Sequence, residues 1–184
     1  YYKGLGTSSK VEAKDYFTNL SLVHYDWCDD SKSALTLAFD KKLANKRKKW
    51  LSFYDKDDVV NPLDKNVTYK EFVDKELIHF SNYDNHRSIP SFCDGNKPGQ
   101  RKVLFTCFCK NLTKEVKVAQ AASHVSGHSA YHHGEASLEG TITGMAQTFV
   151  GSNNINLLFP SGQFGTRLRG GKDCAQSRYI FTRL

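Results

Sequence analysis

The stretch GQFGTRLRGGKDCAQSRYIFTRL, Gly162 to Leu184, sets four glycines and five cations against a single acid, Asp173. Glycines at such spacing mark turns, and the apolar and aromatic residues between them suit short strands. The stretch therefore reads as a basic β-hairpin. Tyr179 follows Arg178 within it, either as a strand aromatic used for packing or as a nucleophile delivered to a phosphate by a DNA-binding loop.

Three helix patterns precede the hairpin. SIPSFCDGNKPGQRKVLFTCFCKN begins as a Pro/Gly-rich turn and becomes a helix near Gly99, with Val103, Leu104, Cys107 and Phe108 expected on one face. VKVAQAASHVSGHS predicts a second, with Val118, Ala122 and Val125 inward. HGEASLEGTITGMAQTF predicts a third, its Leu138, Ile142, Met145 and Phe149 recurring at steps of four, three and four. The other face of that helix carries Ser137, Thr141 and small residues, which suit close approach to a groove. Three helices followed by a basic hairpin make a winged-helix pattern, in which the last helix enters the major groove.

The first half is organised differently. YYKGLGTSSKVEAKDYF reads as a strand end, a glycine turn and a helix that Ser9 and Glu12 start as a capping box. Lys3 and its neighbouring glycines form a weak phosphate-approach signal. Residues 33–54 predict one amphipathic helix with Phe39, Leu43, Trp50 and Tyr54 at near-helical spacing. Its run Lys46-Arg47-Lys48-Lys49 suits a solvated helix face or, less often, a nuclear import signal. Residues 55–66 read as a loop whose acids lack the glycine and distal glutamate of a calcium site. VTYKEFVDKELIHF predicts a further helix with Phe72, Leu77 and Phe80 packed.

Charge separates the halves. Residues 1–96 hold 15 Lys/Arg and 15 Asp/Glu, whereas residues 97–184 hold 11 against 4, the whole net excess of +7. That asymmetry suits a polyanion-binding module attached to a neutral one. No apolar run approaches the roughly 18 residues of a membrane span, so no membrane partner is expected. The five cysteines are odd in number and lack paired C-x-x-C spacing, which suits a reducing intracellular compartment. The only methionine is Met145, which leads to the expectation of a segment of a longer protein.

YYKGLGTSS, SIPSFCDGNKPGQRKVLFTCF, YHHGEASL, AQTFVGSNN, QFGTRLRGGKD and SRYIFTRL follow one another in the order found in eukaryotic-type type II DNA topoisomerases, which this chain resembles over nearly its whole length. The resemblance implies an α+β chain. Residues 1–20 would be the C-terminal end of a Toprim α/β domain and 21–87 a helical connector. Residues 88–184 would be a mainly helical winged-helix domain (helix-turn-helix plus β wing) for DNA breakage and reunion. It implies an ATP-dependent enzyme that cuts both strands of DNA, passes a second duplex through and reseals. Mg2+ would be held by ligands upstream of this segment, so the segment alone is expected to be inactive. Double-stranded DNA and a second copy of the enzyme are the implied partners. A nucleus is the implied setting, with an organelle or virus as alternatives.

On the same resemblance Tyr179 is the nucleophile that becomes linked to the 5′ phosphate. A free tyrosine has a pKa near 10, so only about one in a thousand is ionised at neutral pH, and attack needs proton removal or cationic support. Arg178 is the adjacent cation, and His133 supplies a hydrogen bond or proton. Lys97, Arg101, Lys102 and His132 match residues near the reacting phosphate. Arg167, Arg169 and Lys172 in the wing would contact DNA backbone. No metal ligands are expected: His124, His128, His132 and His133 bracket Gly127 and lack a completing Cys or carboxylate. The alternative is a non-catalytic winged-helix DNA-binding module with Tyr179 as a packing aromatic. Gln176-Ser177 before Arg178, and Glu139 on the groove-facing helix, depart from the familiar pattern.

Overall fold

The computed structural model describes residues 6–153 and 155–184; Lys3 lies outside the described residues. The chain divides into two units, one ending at Asp84 and the other beginning at Asn85.

In the first unit, α1 (Lys10–Thr18) starts at the expected capping box. The Ser9 N–H donates to Glu12 Oε2 at 2.7 Å, and the Glu12 N–H to Ser9 Oγ at 3.3 Å. A short parallel pair follows, β1 (His24–Asp26) with β2 (Asn66–Thr68), in which Tyr25 faces Val67. The single helix expected over 33–54 is divided. α2 (Ser31–Phe39) stops where Asp40 turns extended, and its carboxylate accepts the Lys42 N–H at 2.8 Å. A 3-10 turn over Lys41–Leu43 then leads into α3 (Ala44–Ser52). Asp40 ends one helix and caps the next because a short carboxylate competes with helical hydrogen bonding. Arg47 Nη1 donates to the carbonyls of Leu37 at 3.1 Å and Asp40 at 2.5 Å, which satisfies acceptors orphaned at the end of α2.

The next helical stretch also departs from regular spacing. α4 (Tyr69–Phe72) opens with a Thr68–Glu71 capping box, passes through a π turn at Val73–Leu77 and continues as α5 (Ile78–Ser88). Val73 and Ile78 are the buried residues, while Phe72 and Leu77 are half-buried and Phe80 is 62% exposed. The π turn brings Val73 and Ile78, five residues apart, onto one buried face, where a regular turn would repeat after three or four. Phe72 packs edge-on against Tyr25, 5.5 Å between centroids. Trp50 Nε1 donates to Asp74 Oδ1 at 3.0 Å, fixing α3 beside the π turn.

The second unit holds the main core. α6 (Pro98–Cys109), α7 (Val118–His128) and α8 (Glu135–Ala146) surround Val103, Cys107, Val118, Ala122, Val125, Leu138, Ile142 and Met145. Each fully buried Leu, Ile or Met contributes roughly 1.5–3 kcal/mol. Phe108, expected inside, is 67% exposed because α6 turns Val103, Thr106 and Cys107 inward. Burial pushes the Cys107 thiol up to about 11. β3 (Val116–Lys117), β4 (Phe159–Ser161) and β5 (Phe181–Arg183) form an antiparallel sheet in the order β3-β5-β4. Leu158, Phe164 and Ile180 drive the wing into the helical core. The winged-helix reading of an α+β fold holds.

Candidate functional site

Tyr179 owes its position to its neighbours. Ile180 is 1% exposed and lies against Gly162, where an added Cβ would stand 3.0 Å from Ile180 Cγ2. The Tyr179 N–H donates to Gln176 O at 2.8 Å and closes a turn. The first turn of α7 grips this segment on both sides of the tyrosine. The Ala119 N–H donates to Ser177 O at 3.2 Å, and the Val118 N–H to Ile180 O at 3.0 Å. Two helix-start amides, which otherwise lack partners, thus hold the backbone around Tyr179. The side chain itself is 66% exposed.

Arg178 lies over it, its guanidinium carbon 5.2 Å from the Tyr179 ring centroid. Arg178 Nε donates to Gln176 Oε1 at 2.8 Å, and Nη2 donates to the same oxygen. Gln176, noted in the sequence only as a departure, is the residue that orients the arginine. Its position two residues before Arg178 was the available signal.

A second group gathers at the start of α6. Lys97 is exposed, and its N–H donates to Gln100 Oε1 at 2.8 Å. Arg101 forms a two-pronged pair with Asp94, Nε to Oδ2 at 2.8 Å and Nη2 to Oδ1 at 2.9 Å, with its Nη1 edge left open among the described residues. Lys102 Nζ donates to Ala130 O at 2.8 Å and so ties α6 to the loop between α7 and α8. In that loop the rings of Tyr131 and His133 meet edge-on at 5.3 Å. Both line a recess of about 260 Å³ together with Ser123, Ser126 and Glu135. His132 and Ser137 are exposed nearby, Ser137 in the first turn of α8.

Arg101 holds the Asp94 carboxyl at about 2, well below its usual value, the Asn96 backbone N–H adding to the effect. The folded value lies below the unfolded one of about 3.9, so the stabilisation is present above pH ~4 and is lost as pH falls through 2. Backbone NMR signals of residues 91–97 are expected to shift between pH 4 and 2 in the parent chain. In Asp94→Asn they should already sit at the low-pH positions and stay there; movement equal to the parent's would show that another acid controls this loop.

The wing is a third group. Arg167, Arg169 and Lys172 are exposed on a loop closed by Asp173, which accepts the Thr166 N–H and the Thr166 hydroxyl, each at 2.8 Å. The backbone N–H of Thr166 is also the main cause lowering the Asp173 carboxyl. Gln147 Nε2 donates to Phe164 O at 2.8 Å from beneath. Gly165 (φ +91°) and Gly171 (φ +78°) cross so closely that only glycine fits: a Cβ on Gly165 would stand 2.7 Å from Gly171 Cα.

The fold thus joins Arg178 to Tyr179, and Lys102 to the loop that carries Tyr131 and His133, while Arg101 pairs with Asp94 and Lys97 stands exposed at the start of the same helix. It does not join the two sets. Tyr179 sits at the first turn of α7, whereas His133 lies beside residues 122–127, roughly 10 Å further along by helix rise. His124 and His128 are exposed, His128 stacking on Phe105 at 5.7 Å. No group of three or more metal-ligating side chains occurs among the described residues.

Residues 87–184 match the DNA gyrase/topoisomerase IV A-subunit family model, and residues 1–85 match the C-terminal associated domain of TOPRIM. The chain is 55% identical over 200 residues to DNA topoisomerase 2-beta of Homo sapiens, covering 100% of this chain and 12% of that protein. It is 58% identical over 187 residues to DNA topoisomerase 2 of Arabidopsis thaliana, covering 100% and 13%. A mitochondrial DNA topoisomerase 2 of Dictyostelium discoideum is 52% identical over 186 residues, covering 100% and 14%. A crystal structure of the Plasmodium falciparum topoisomerase II DNA-binding, cleavage and re-ligation domain superposes with a TM-score of 0.73 at 52% identity, covering 100% of this chain and 26% of that one. The chain therefore spans about an eighth of the length of the relatives it matches.

Proposed function

The chain belongs to the type II DNA topoisomerase family through its match to the DNA gyrase/topoisomerase IV A-subunit model, and from that premise we propose that it supplies the nucleophile of a double-strand DNA cleavage site. The carrying observation is an exposed Tyr179 under the Arg178 guanidinium, on backbone gripped from both sides by α7. Tyr179 Oη gives up its proton and attacks the phosphorus, the new O–P bond links the protein to the 5′ end, the P–O3′ bond breaks, and the departing 3′ oxygen takes up a proton. The reverse attack reseals the strand. Arg178 stabilises the charge that develops on the phosphoryl oxygens.

Lys97, the open Nη1 edge of Arg101, His132 and Ser137 bind the duplex near the break, and His133 serves the reacting phosphate. Lys102 holds the loop that carries the histidines. The reading includes a homodimer of the complete enzyme, in which the two copies of Tyr179 cut one strand each. Residues 1–20 complete a Toprim domain, 21–87 act as a connector and 88–184 as the cleavage module.

Mg2+ does not fit the described residues, which offer no ligand cluster, so no step of this chain runs through it. Mg2+ and ATP are assigned to the complete enzyme, as are strand passage and a nuclear setting. The test uses that enzyme with magnesium and 5′-labelled DNA, quenched in detergent. Label carried on the protein is the expected result. Salt-sensitive binding without an adduct would leave a winged-helix DNA binder.

The wing contributes backbone binding. Replacing Arg167, Arg169 and Lys172 together by Ala is expected to flatten the log–log salt slope of duplex binding by about 2–3. Fluorescence anisotropy at several salt concentrations measures it, and an unchanged slope would remove the wing from the interface.

A further inference from the structure

Lys41, Lys42, Lys46, Lys48 and Lys49 fall within nine residues of the first unit, and all five are exposed. No acid occurs between Asp40 and Asp55. Among the described residues none of the five lysines pairs with a carboxylate. Such a run is commonly a solvated helix face. Here its support is built for position. Leu43, Arg47 and Trp50, at steps of four and three, are half-buried. Arg47 is bound to two carbonyls of the preceding segment, and Trp50 to Asp74. The intervening Lys42, Lys46 and Lys49 repeat the same steps, Lys42 in the 3-10 turn and Lys46 and Lys49 in α3, so they follow one another along a helical segment stapled at two points.

That series is roughly 10 Å long by helix rise. Phosphates of one DNA strand advance about 3.4 Å each along the axis, so the series spans about three of them. Lysines act as strongly hydrated point charges that suit phosphate without reading bases. Use of the run as an extended peptide would require α3 to unwind and Arg47 to release both carbonyls. The helix therefore favours a surface that meets a rigid polyanion over a linear signal.

We infer that Lys42, Lys46 and Lys49, flanked by Lys41 and Lys48, form a second duplex-backbone contact, carried by the first unit and additional to the wing. It is non-specific in sequence, and its operation does not depend on Tyr179 chemistry.

The test uses the whole 184-residue chain and a fluorescent 30-bp duplex of arbitrary sequence. Lys42→Ala/Lys46→Ala/Lys49→Ala is expected to flatten the salt slope by about 2–3 and weaken binding at least about tenfold at 0.15 M salt. The matching Lys→Arg triple should keep the slope, and thermal unfolding should be unchanged in both. Combined with the wing triple, the losses in log affinity should add, because the two sets share no side chain or hydrogen-bond partner. An unchanged slope in the Ala triple overturns the inference, including where that variant loses capture of a nuclear import receptor instead. A Lys→Arg triple that loses as much as the Ala triple overturns it too.

Discussion

Tyr179→Phe is expected to abolish the covalent DNA adduct, lowering its yield by at least about 10⁴-fold, while duplex binding stays within about twofold of the parent. The hydroxyl is the only group removed. It makes no hydrogen bond among the described residues, and the ring is already exposed, so folding loses no packing. The Gln176 turn, the Ser177 and Ile180 contacts to α7 and the buried Ile180 all remain. Catalysis has no substitute, because removal of a covalent nucleophile leaves only water to attack, with losses in the range seen when a catalytic triad member is deleted. Detergent-trapped adduct on labelled DNA, with anisotropy in parallel, separates the two effects. Residual adduct in the Phe variant would mean that another side chain attacks. A matching loss of binding would mean that the hydroxyl holds DNA rather than cleaving it.

Gly165→Ala is expected to cost the wing about 3 kcal/mol. The positive φ alone costs about 1–2 kcal/mol for a residue with a Cβ. The new methyl would also stand 2.7 Å from Gly171 Cα and 2.8 Å from Gly171 O, backbone atoms that cannot swing aside. For a unit of this size the loss corresponds to a melting point lower by about 12 °C or more. Gly170→Ala is the comparison, since Gly170 also has positive φ (+58°) but nothing within 4 Å of the added methyl. It should lose only the conformational share. Thermal unfolding of both variants decides the point: equal losses would mean that the crossing of the two loop arms contributes nothing.

Much of the second unit was legible because its signals are local. Leu138, Ile142 and Met145 recur at helical spacing and are all buried, as are Val118, Ala122 and Val125. The glycine turns and apolar residues of the wing announce a hairpin for the same reason. The first unit was harder to read. A single carboxylate, Asp40, divides a pattern that looks continuous, and a π turn carries the buried Val73 and Ile78 at a spacing of five, while Phe72 and Leu77 are only half-buried. Periodicity assumes a constant turn, so it carries no trace of either event. At the candidate site the residue types were readable but their pairings were not. The Asp94–Arg101 pair spans seven residues and Lys102 to Ala130 spans 28. Such contacts depend on where helices pack, which spacing along the chain does not encode.

β5 begins two residues after Tyr179 and runs between β3 and β4, antiparallel to both. On the proposed function, a DNA end tethered at the tyrosine would therefore pull along a strand bonded on either side. Load applied that way shears several hydrogen bonds at once, whereas an edge strand would peel them one by one. The buried Ile180 and the two amides of α7 share the tension before the sheet feels it. On the proposed function the anchor point would thus be a mechanical rivet, through which load on a tethered strand moves the unit as a whole.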